Sequence, residues 1–518
     1  MQYIKGTPRD QLAFFPTNLD ELIDQNNSVR FIDLFVNSLD FSLLGFDTKS
    51  PEGRRSYNPA DLLKLYIYGY MNKIRSSRDL EKECYRNIEV MWLIGNLKPD
   101  HNTINRFRKD NPKAIKHVFR QTVSLAQNFN LIGGLLIAGD STKLRAQNSK
   151  KNNYNQKKIE QHLERIDKKL DQFNKQLQLA DGDKKKDLEN DIQKKKHQKK
   201  KYLKLKDQLL KSDEKQISTT DPDSRHQIVR NNITEVCYTV QTTTDALYNI
   251  PFDYKVTNQN DKKAMGNMLQ RAKSILKNNS FTALYDKGYH TGSEFKTAHD
   301  LGIKTLVAIP GIGRASQAPN PDFNVENFYY NIHTDTYHCP QGHNLKSNGK
   351  WYKTRNYHFK QYKTKACKLC PVMHLCTTAK HNGKIVQRSE YQVYIEQNAQ
   401  RVKANQNLYK KRQAIVEHPF GTIKRQWGFD YILTKKSSSR ASADVGLIFI
   451  AYNLKRILNI IGIESLFKFL KKSFIAIFNA FKSTLYFFKE IFRRFLLFLK
   501  INQKNHLVIF KHISSLLT

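Results

Sequence analysis

Acidic residues are scarce in this sequence relative to basic ones. It carries 47 Asp and Glu against 87 Lys and Arg, which gives a formal net charge of +40 over 518 residues. A surplus of this size repels itself unless a polyanion lies nearby. Nucleic acid is the first candidate, because Lys and Arg supply most non-specific affinity by neutralising phosphates. An anionic membrane surface and ribosomal RNA are the alternative partners that charge alone leaves open.

Long uncharged apolar runs are also absent. No such run reaches the ~18 residues of a membrane span, and the opening residues, MQYIKGTPRDQLAFF, lack the charged and then apolar regions of a secretion signal. The closest candidate is segment 456–518, which Lys or Arg interrupts every few residues. We expect a basic amphipathic helical tail there, used for packing or self-association, with lipid contact as the alternative. We expect a cytoplasmic protein with no membrane partner.

Cysteine is rare, and the few cysteines are unevenly spread. Four of the six lie in one segment, at Cys339, Cys367, Cys370 and Cys376. A Cys-x2-Cys pair such as Cys367 and Cys370 lets two thiolates reach one tetrahedral ion from a tight turn, and the other two can close the site. In a chain without a secretion signal, such clustering favours metal over disulfides. We predict a structural zinc, with His343 as an alternative ligand, in a Cys-rich insertion at 320–395.

Residues 1–125 have the pattern of a helical domain. The stretch NPADLLKLYIYGYMNKI has apolar residues at helical spacing, with Asn58 and Pro59 as its start. Several short helices follow, and basic residues on their connections suit a helix-turn-helix-like DNA-binding unit. An ordinary helical domain with solvated charges is the alternative. The candidate DNA contacts here are Arg75, Arg78, Arg106 and Arg108.

Residues 126–455 alternate between strand and helix patterns, which indicates an α/β domain with a partly parallel sheet. The run GGLLIAGDST predicts a buried strand that ends at Asp140, and FTALYDKGYH predicts a short strand before a glycine turn. A Lys-rich segment at 150–215, with apolar residues at spacings of three and four, predicts a charged helical hairpin inserted into the domain. A helix predicted over 396–427 carries Glu417.

Three acids are candidates for a catalytic centre. Asp140 and Asp286 each follow an apolar run, and ligands collect at the carboxyl ends of strands in α/β sheets. With Glu417 they form a set that suits two oxygen-preferring ions about 4 Å apart, which can activate a water or a 3′-hydroxyl against a phosphodiester. Lys424 lies two turns after Glu417 on the same helix and can hold a phosphate. For any single Asp at a strand end, a capping role is the alternative.

The motifs GDST, YDKGYH and VEHPFGTIKRQWGF closely resemble the three catalytic motifs of bacterial insertion-sequence DDE transposases, and the N-terminal helical stretch resembles the leader domain of one such group. The resemblance spans residues from about 1 to 460. It implies an RNase H-like catalytic domain, with Asp140, Asp286 and Glu417 as ligands of two Mg²⁺ or Mn²⁺ ions. It also implies DNA contacts from Lys424 and Arg425. Tyr409 and Arg412 keep the spacing of two further DNA-contacting residues, although they lie one residue too far upstream of Glu417.

The resemblance therefore implies a transposase that binds double-stranded transposon ends and target DNA and catalyses cleavage and strand transfer. By the same analogy we expect a homodimer on DNA and a place at the bacterial nucleoid. Two alternatives stay open. The first is a non-catalytic DNA-binding protein derived from a transposase, and the second is a metal-dependent nuclease without strand transfer.

Overall fold

The structure is a computed structural model that describes residues 18–46, 56–212, 214–230, 233–313, 316–379 and 381–470. Contacts between Cα atoms divide the chain into two units, one of residues 1–121 with 450–518 and one of residues 122–449. Most of the predicted C-terminal tail, from residue 471 onward, lies outside the described residues.

The N-terminal part of the chain is helical, as the sequence predicts. Polar side chains start the helices: the Asn58 side chain accepts a hydrogen bond from the Ala60 amide at 2.9 Å, with Pro59 in the first turn behind it. The Asp100 carboxylate likewise caps a later helix. The helices are α1 (Ser28–Asn37), α2 (Phe41–Leu44), α3 (Pro59–Met71), α4 (Ser77–Arg86), α5 (Ile88–Leu93), α6 (His101–Asp110) and α7 (Pro112–Asn128).

Helix α3 is the central element of this helical part. Tyr66 and Tyr70 are fully buried, and the ring of Tyr66 stacks on Phe107 of α6 at a centroid distance of 5.9 Å. Aromatic side chains bury a large apolar area, so this stack ties α3 to α6.

The larger unit is built on a six-stranded mixed sheet. Its strands run in the order β4-β5-β1-β7-β8, and β6 also pairs with β5. Strand β1 is antiparallel to β5 and parallel to β7, and β7 is parallel to β8. The predicted mixed α/β fold is confirmed. The first eight strands along the chain are β1 (Leu136–Arg145), β2 (Asn153–Asn155), β3 (Gln216–Ser218), β4 (Arg225–Arg230), β5 (Ile233–Asp245), β6 (Pro251–Thr257), β7 (Thr282–Tyr285) and β8 (Lys304–Val307).

Two details of the sheet differ from the sequence-based prediction. Asp140 does not end its strand, because β1 continues to Arg145 while it pairs with β5. The parallel partner β7 stops much earlier, at Tyr285, so Asp140 lies at the point where one side of β1 becomes open. Strand β4 was not predicted, and it extends the sheet at an edge by pairing with β5.

The charged insertion forms the predicted helical hairpin, with helices α8 (Gln156–Leu177) and α9 (Asp183–Lys211). Strands β2 and β3 pair at its base. A small apolar cluster that includes Ile159 and Leu205 packs the two helices together near this base. Further along, Lys199 forms an ion pair with Asp167 across the hairpin at 2.6 Å.

Helices cover the sheet and fix its edge. They are α10 (Met265–Leu276), α11 (Gly292–Asp300), α13 (Gln392–Ala404) and α14 (Gln406–Gly421), and α14 continues into a π-helical turn over Thr422–Gln426. The short helix α12 (Met373–Cys376) lies in the Cys-rich segment. The single helix predicted over 396–427 is therefore two helices and a turn. Ile415 and Val416 of α14 pack on Ala138 of β1 and Leu284 of β7, so α14 lies on the face of the sheet to which Asp140 belongs.

Asn398 of α13 closes the end of edge strand β8. Its side-chain amide accepts a hydrogen bond from the Val307 amide at 3.0 Å and donates one to the Val307 carbonyl at 2.9 Å. The amide thus replaces the strand that would otherwise pair there.

The Cys-rich segment contains a second six-stranded sheet, which the sequence did not predict. The strand order is β12-β13-β11-β10-β9, with β14 paired to β13. A cluster that includes Tyr337, Leu345 and Tyr362 forms its small core. The strands are β9 (Tyr329–Asn331), β10 (Thr336–His338), β11 (Asn344–Ser347), β12 (Tyr352–Lys353), β13 (His358–Lys363) and β14 (Val386–Ser389).

The last long helix is α15 (Ser438–Ile461). In the described part of the chain, no single helix has both the length and the apolar composition to cross a bilayer. The bent pair of Ser438–Ile461 and Ile463–Leu470, with an angle of 107° between its helices, meets those two criteria only when the helices are counted together.

One buried carboxylate holds the start of β1 to the end of β5. The Asp245 side chain is almost fully buried and accepts hydrogen bonds from the amides of Gly133, Gly134 and Leu247 at 3.1, 2.8 and 2.9 Å. One carboxylate thus accepts hydrogen bonds from three backbone amides near the start of β1 and the end of β5.

Replacement of Asp245 by Ala should destabilise the larger unit by about 2–4 kcal/mol, because buried donors without partners each cost roughly 1–3 kcal/mol. Urea unfolding followed by tryptophan fluorescence and circular dichroism measures the shift. The matched control is Asp300→Ala, since Asp300 is exposed and its side-chain partners, Lys296 and His299, are exposed residues of the same helix. Equal midpoints for the two variants would contradict this role of Asp245.

Candidate active site

The register between β1 and β7 brings two of the predicted acids side by side. Leu136, Ile137 and Ala138 pair with Thr282, Ala283 and Leu284 in parallel. Continued by two residues, this register sets Asp140 opposite Asp286, on neighbouring strands that are spaced by ~4.8 Å. Because side chains alternate along a strand, both acids point to the face that Ala138 and Leu284 share with α14.

A glycine permits this close approach. A Cβ atom at Gly139 would lie 2.0 Å from the ring of Tyr285, the residue before Asp286. No real side chain tolerates such a distance, so only glycine lets the Tyr285 ring lie against β1 at this point. The two residues of the GD pair in the first motif therefore have different roles. Gly139 leaves room for the Tyr285 ring at the end of β7, and Asp140 lies opposite Asp286.

Both aspartates are held by backbone donors next to them. The Asp286 carboxylate accepts a hydrogen bond from the Gly288 amide at 2.9 Å, which makes it the cap of a short turn over Lys287–Tyr289. The Asp140 carboxylate accepts one from the Ser141 amide at 2.7 Å. These bonds fix the direction of each carboxylate relative to its strand.

The electrostatic environment of Asp140 is unfavourable to its own negative charge. Burial raises the pKa of Asp140 to about 6, and the negative charges of Asp286 and Asp261 add to that rise, while Arg412 and the Ser141 amide oppose it. Three carboxylates thus lie within electrostatic reach of one another. We call Asp140, Asp286 and Asp261 the carboxylate cluster.

Helix α14 and the turn after it bring cations and hydroxyls to this face of the sheet. A guanidinium nitrogen of Arg412 lies 3.3 Å from the Asp140 carboxylate, and the Tyr409 hydroxyl donates to the Tyr285 carbonyl at 3.1 Å. The Lys424 ammonium donates to the Thr142 hydroxyl at 3.1 Å. Arg412 and Tyr409 therefore contact the part of the sheet that carries Asp140 and Tyr285.

Glu417 lies on α14 between these two anchor points. Five residues separate it from Arg412, or ~7.5 Å along the helix axis, and the Lys424 turn contacts β1 two residues beyond Asp140. Its carboxylate is exposed and accepts a hydrogen bond from Gln413 at 2.9 Å. Glu417 faces a cleft of about 610 Å³, whose charged lining residues are Lys143, Arg145, Glu235, Glu417, Lys424, Arg425 and Asp430.

The donor chemistry of the carboxylate cluster fits a divalent cation, because oxygen ligands of like charge repel one another until a hard cation lies between them. The observation behind this fit is the partly buried Asp140, whose charge one guanidinium balances against two neighbouring carboxylates. Across the described residues, no three His, Cys, Asp or Glu side chains form a group that could hold a metal ion. The acids are thus neighbours whose side chains do not converge on one centre.

Asp261 is the member of the cluster that the sequence prediction missed. It follows strand β6 after a short loop, and it begins a turn over Asp261–Lys263. The signal available in the sequence was an acid just after a predicted strand, the criterion that selected Asp286. Tyr289, three residues after Asp286, was also missed, and its hydroxyl faces the same group of acids.

The four N-terminal arginines that were predicted to contact DNA fall into two pairs. Arg78 and Arg106 are exposed and remain candidates. Arg75 and Arg108 are 5% and 3% exposed, and Arg108 donates to the Tyr70 hydroxyl and the Arg75 carbonyl at 3.0 Å each. Tyrosine rings of α3 pack against both guanidinium groups. Arg75 and Arg108 therefore belong to the helical core and do not present their side chains to a phosphate at the surface.

The four clustered cysteines line one small cavity of about 20 Å³. Burial raises the pKa of Cys376, and the thiols of Cys367, Cys339 and Cys370 add to the rise while Lys384 opposes it. No disulfide joins them. Gly383 has a positive φ of 65°, and a Cβ there would lie 2.4 Å from the Cys367 side chain, so the backbone passes close to the thiols. Among the described residues these thiols, like the acids, do not meet the geometry of a formed metal site. Their chemistry is nevertheless that of the ligands that zinc prefers.

Taken together, the mixed sheet, the paired aspartates and the basic helix beside them define a class of protein, one suited to metal-assisted chemistry on a phosphodiester. Comparison with known families narrows this class. Residues 17–110 match the family described as Transposase domain (DUF772), and residues 338–458 match the family described as Transposase DDE domain. The second match includes Glu417 and Lys424.

The chain therefore carries a DUF772 transposase domain within residues 17–110 and a DDE transposase domain within residues 338–458, and the DDE domain family consists of phosphoryl-transferring enzymes. No curated protein matches the chain. A solved structure, the cryo-EM structure of a piggyBac transposase synaptic complex with hairpin DNA, is similar over 87% of this chain and 80% of that chain, with 9% identity and a TM-score of 0.31. A TM-score this low carries no argument about this chain.

Asp140 should make the metal-free protein less stable as the pH rises. Its folded pKa of about 6 lies above the ordinary value of 3.8, so the stabilisation it gives is present below pH ~4 and is lost as the pH rises through about 6. Asp140→Asn should remove this loss, so that in EDTA the variant gains up to about 3 kcal/mol on wild type between pH 4 and 7. A difference in unfolding free energy that does not change with pH would contradict the assignment.

Proposed function

We propose that this protein is a DNA transposase that binds double-stranded transposon ends and catalyses divalent-metal-dependent cleavage and strand transfer into target DNA. The observation that carries the proposal is the β1–β7 register, which, continued by two residues, sets Asp140 opposite Asp286 beside a helix that brings basic residues to the same face. The DDE domain match over the Glu417 helix supports it. We assign the sheet to the RNase H-like type on the same grounds.

In this proposal Asp140, Asp286 and Glu417 hold two Mg²⁺ or Mn²⁺ ions. When bound, such ions lower the pKa of a water or 3′-hydroxyl and stabilise the leaving oxygen of a phosphodiester. Residues of the chain do the remaining work. Arg412 neutralises Asp140 in the free protein, and release of its guanidinium frees that carboxylate and makes a cation available for a phosphate.

The DNA backbone is proposed to bind in the cleft beside Glu417. Lys424 and Arg425 lie in its wall, and both are donors suited to phosphate oxygens. Lys424 is already anchored to β1 through Thr142, so a phosphate that it binds is held at a fixed distance from Asp140. Tyr409 holds the carbonyl before Asp286 and so positions that acid. Exposed Arg78 and Arg106 of the helical part are proposed contacts to the transposon end.

The net charge of +40 supports a polyanionic partner, and transposition requires two DNA ends to be held together. We therefore propose a homodimer on DNA and a place in the cytoplasm at the bacterial nucleoid. The Cys-rich sheet is proposed to hold one structural zinc through its four thiols, because they line one cavity and a sheet this small gains stability from a metal.

Two other functions are separable from this one by experiment. A pre-cleaved transposon end is incubated with a target plasmid and Mg²⁺. A transposase joins the two molecules, a nuclease only cuts them, and a non-catalytic binding protein does neither. Joined products that carry the end sequence support the proposal, and cutting without joining favours the nuclease.

Asp286→Asn should reduce end cleavage by at least ~10³-fold while DNA affinity stays within about twofold, since the amide keeps the shape of the side chain and removes one ligand charge. Cleavage of a labelled end and gel-shift titration measure the two quantities. Asp300→Asn, which alters only an exposed helix, serves as the control with wild-type activity. Retained cleavage in Asp286→Asn would refute its role as a metal ligand.

Cys370→Ser should lower the zinc content from one ion per chain and open new protease sites between residues 340 and 395, while the main sheet stays folded. Elemental analysis and limited proteolysis measure both effects. Cys84→Ser changes an isolated buried cysteine and should keep the full zinc content. Wild-type protein without stoichiometric zinc, and with a protease pattern that chelator does not alter, would exclude the zinc site.

A further inference from the structure

A turn that carries Asp261 packs directly against the turn that follows Asp286. The first covers Asp261–Lys263 and the second Lys287–Tyr289. The Thr291 hydroxyl donates a hydrogen bond to the Lys262 carbonyl at 2.6 Å and so ties the two segments together. Through this contact Asp261 reaches the open side of β1, where β7 has ended.

Two polar atoms at this junction are buried and poorly paired. No well-aligned hydrogen bond reaches one carboxylate oxygen of Asp261 or the hydroxyl of the fully buried Tyr289. The Tyr289 and Ser141 hydroxyls nevertheless lie close enough to Asp261 to lower its pKa. A buried polar atom left unpaired costs roughly 1–3 kcal/mol. These two atoms lie next to the carboxylate cluster. A ligand that donates hydrogen bonds or carries positive charge would stabilise them there.

The charges around Tyr289 indicate which kind of ligand could bind beside it. Burial raises the pKa of Tyr289 well above its ordinary value, and the negative charges of Asp261 and then Asp140 raise it further. Burial also raises the pKa of Asp261, which Ser141 and Lys143 lower and Asp286 raises. An anion is excluded by so many carboxylates. A hydrated divalent cation suits the place, because Mg²⁺ keeps several of its waters when it binds to protein carboxylates.

We propose that Asp261 and Tyr289 position the hydrated cation held by Asp140 and Asp286: Asp261 accepts hydrogen bonds from its coordinated waters, and the Tyr289 hydroxyl fixes that arrangement from the buried side. The inference rests on the proposed metal-dependent function and adds two residues that lie outside the three acids. Partners of this kind orient the ligands of a metal, and their loss typically lowers metal affinity by about 10–100-fold.

The test is Mn²⁺ binding to the full-length protein without DNA, followed by electron paramagnetic resonance of free Mn²⁺. Asp261→Asn and Tyr289→Phe should each weaken binding by about tenfold or more. Asp286→Asn in the same assay reports on the metal site itself. If it and wild type bind Mn²⁺ equally, the proposed metal site is refuted and this inference with it.

Tyr285→Phe is the matched control. Its hydroxyl is also buried and unpaired in the described structure, and its ring lies 4.9 Å from that of Tyr289. The charges around it are those of Arg271, Asp253 and Glu294, away from the cluster. Tyr285→Phe should leave Mn²⁺ affinity within about twofold of wild type. If Asp261→Asn and Tyr289→Phe also bind within twofold while Asp286→Asn does not, the inference is wrong and the metal site stands.

Thermal unfolding in EDTA separates positioning from a structural role. Tyr289→Phe removes a hydroxyl that makes no well-aligned hydrogen bond, and Asp261→Asn removes one of three repelling charges, so neither should lower the unfolding temperature of the metal-free protein. Both should reduce the rise in unfolding temperature that saturating Mg²⁺ produces in wild type. A metal-free protein that is destabilised by Tyr289→Phe, with an unchanged rise on Mg²⁺ addition, would overturn the proposal.

Discussion

The repulsion between two carboxylates, held side by side by the backbone, is the constraint around which the catalytic unit is arranged. The β1–β7 register sets Asp140 opposite Asp286, and Gly139 removes the only side chain that would keep the strands apart there. Burial is the main cause of the raised pKa of Asp140, and the neighbouring charge of Asp286 adds to it. A divalent cation between the two carboxylates would offset both effects.

Most of the neighbouring features follow from that constraint. Arg412 supplies one positive charge to Asp140 in the free protein, and α14 is held in place for this by the apolar contacts of Ile415 and Val416 with the sheet. The same helix carries Glu417, and the turn after it carries Lys424 and Arg425 into the adjoining cleft. One element therefore brings both the third proposed ligand and the proposed phosphate contacts to the sheet, so a shift of α14 would change the proposed metal site and the proposed DNA-binding cleft together.

Much of this was predictable from the sequence, and the exceptions have physical reasons. Apolar runs with helical or strand spacing predicted the helical N-terminal part, the mixed sheet and the charged hairpin, because burial imposes those periods. The short strands of the Cys-rich sheet have no such runs, and their pairing depends on partners distant in sequence. Asp140 was placed at a strand end because the continuous hydrophobic run stops there, whereas the pairing with β5 continues for five further residues, of which only Leu144 is apolar and buried.

The candidate site was predictable to a similar degree. Motifs selected Asp140, Asp286 and Glu417. Asp261 also follows a predicted strand, but many turn aspartates do, and only the contact between two turns that lie 26 residues apart in the chain brings it to the other acids. Arg75 and Arg108 were predicted as DNA contacts, but the structure buries both of them. A basic residue on a helix connection resembles a DNA contact until the aromatic side chains that bury it are known.

The central claim is that Asp140 and Asp286 form one divalent-metal site that is completed by Glu417. The most direct measurement is a crystal structure of the protein with a transposon-end duplex and Mn²⁺, with anomalous scattering recorded at the manganese edge. The account predicts a manganese peak between Asp140 and Asp286, a second about 4 Å away that Glu417 contacts, and Arg412 displaced from Asp140. Manganese bound elsewhere, with Arg412 still paired to Asp140 in the presence of DNA, would contradict it.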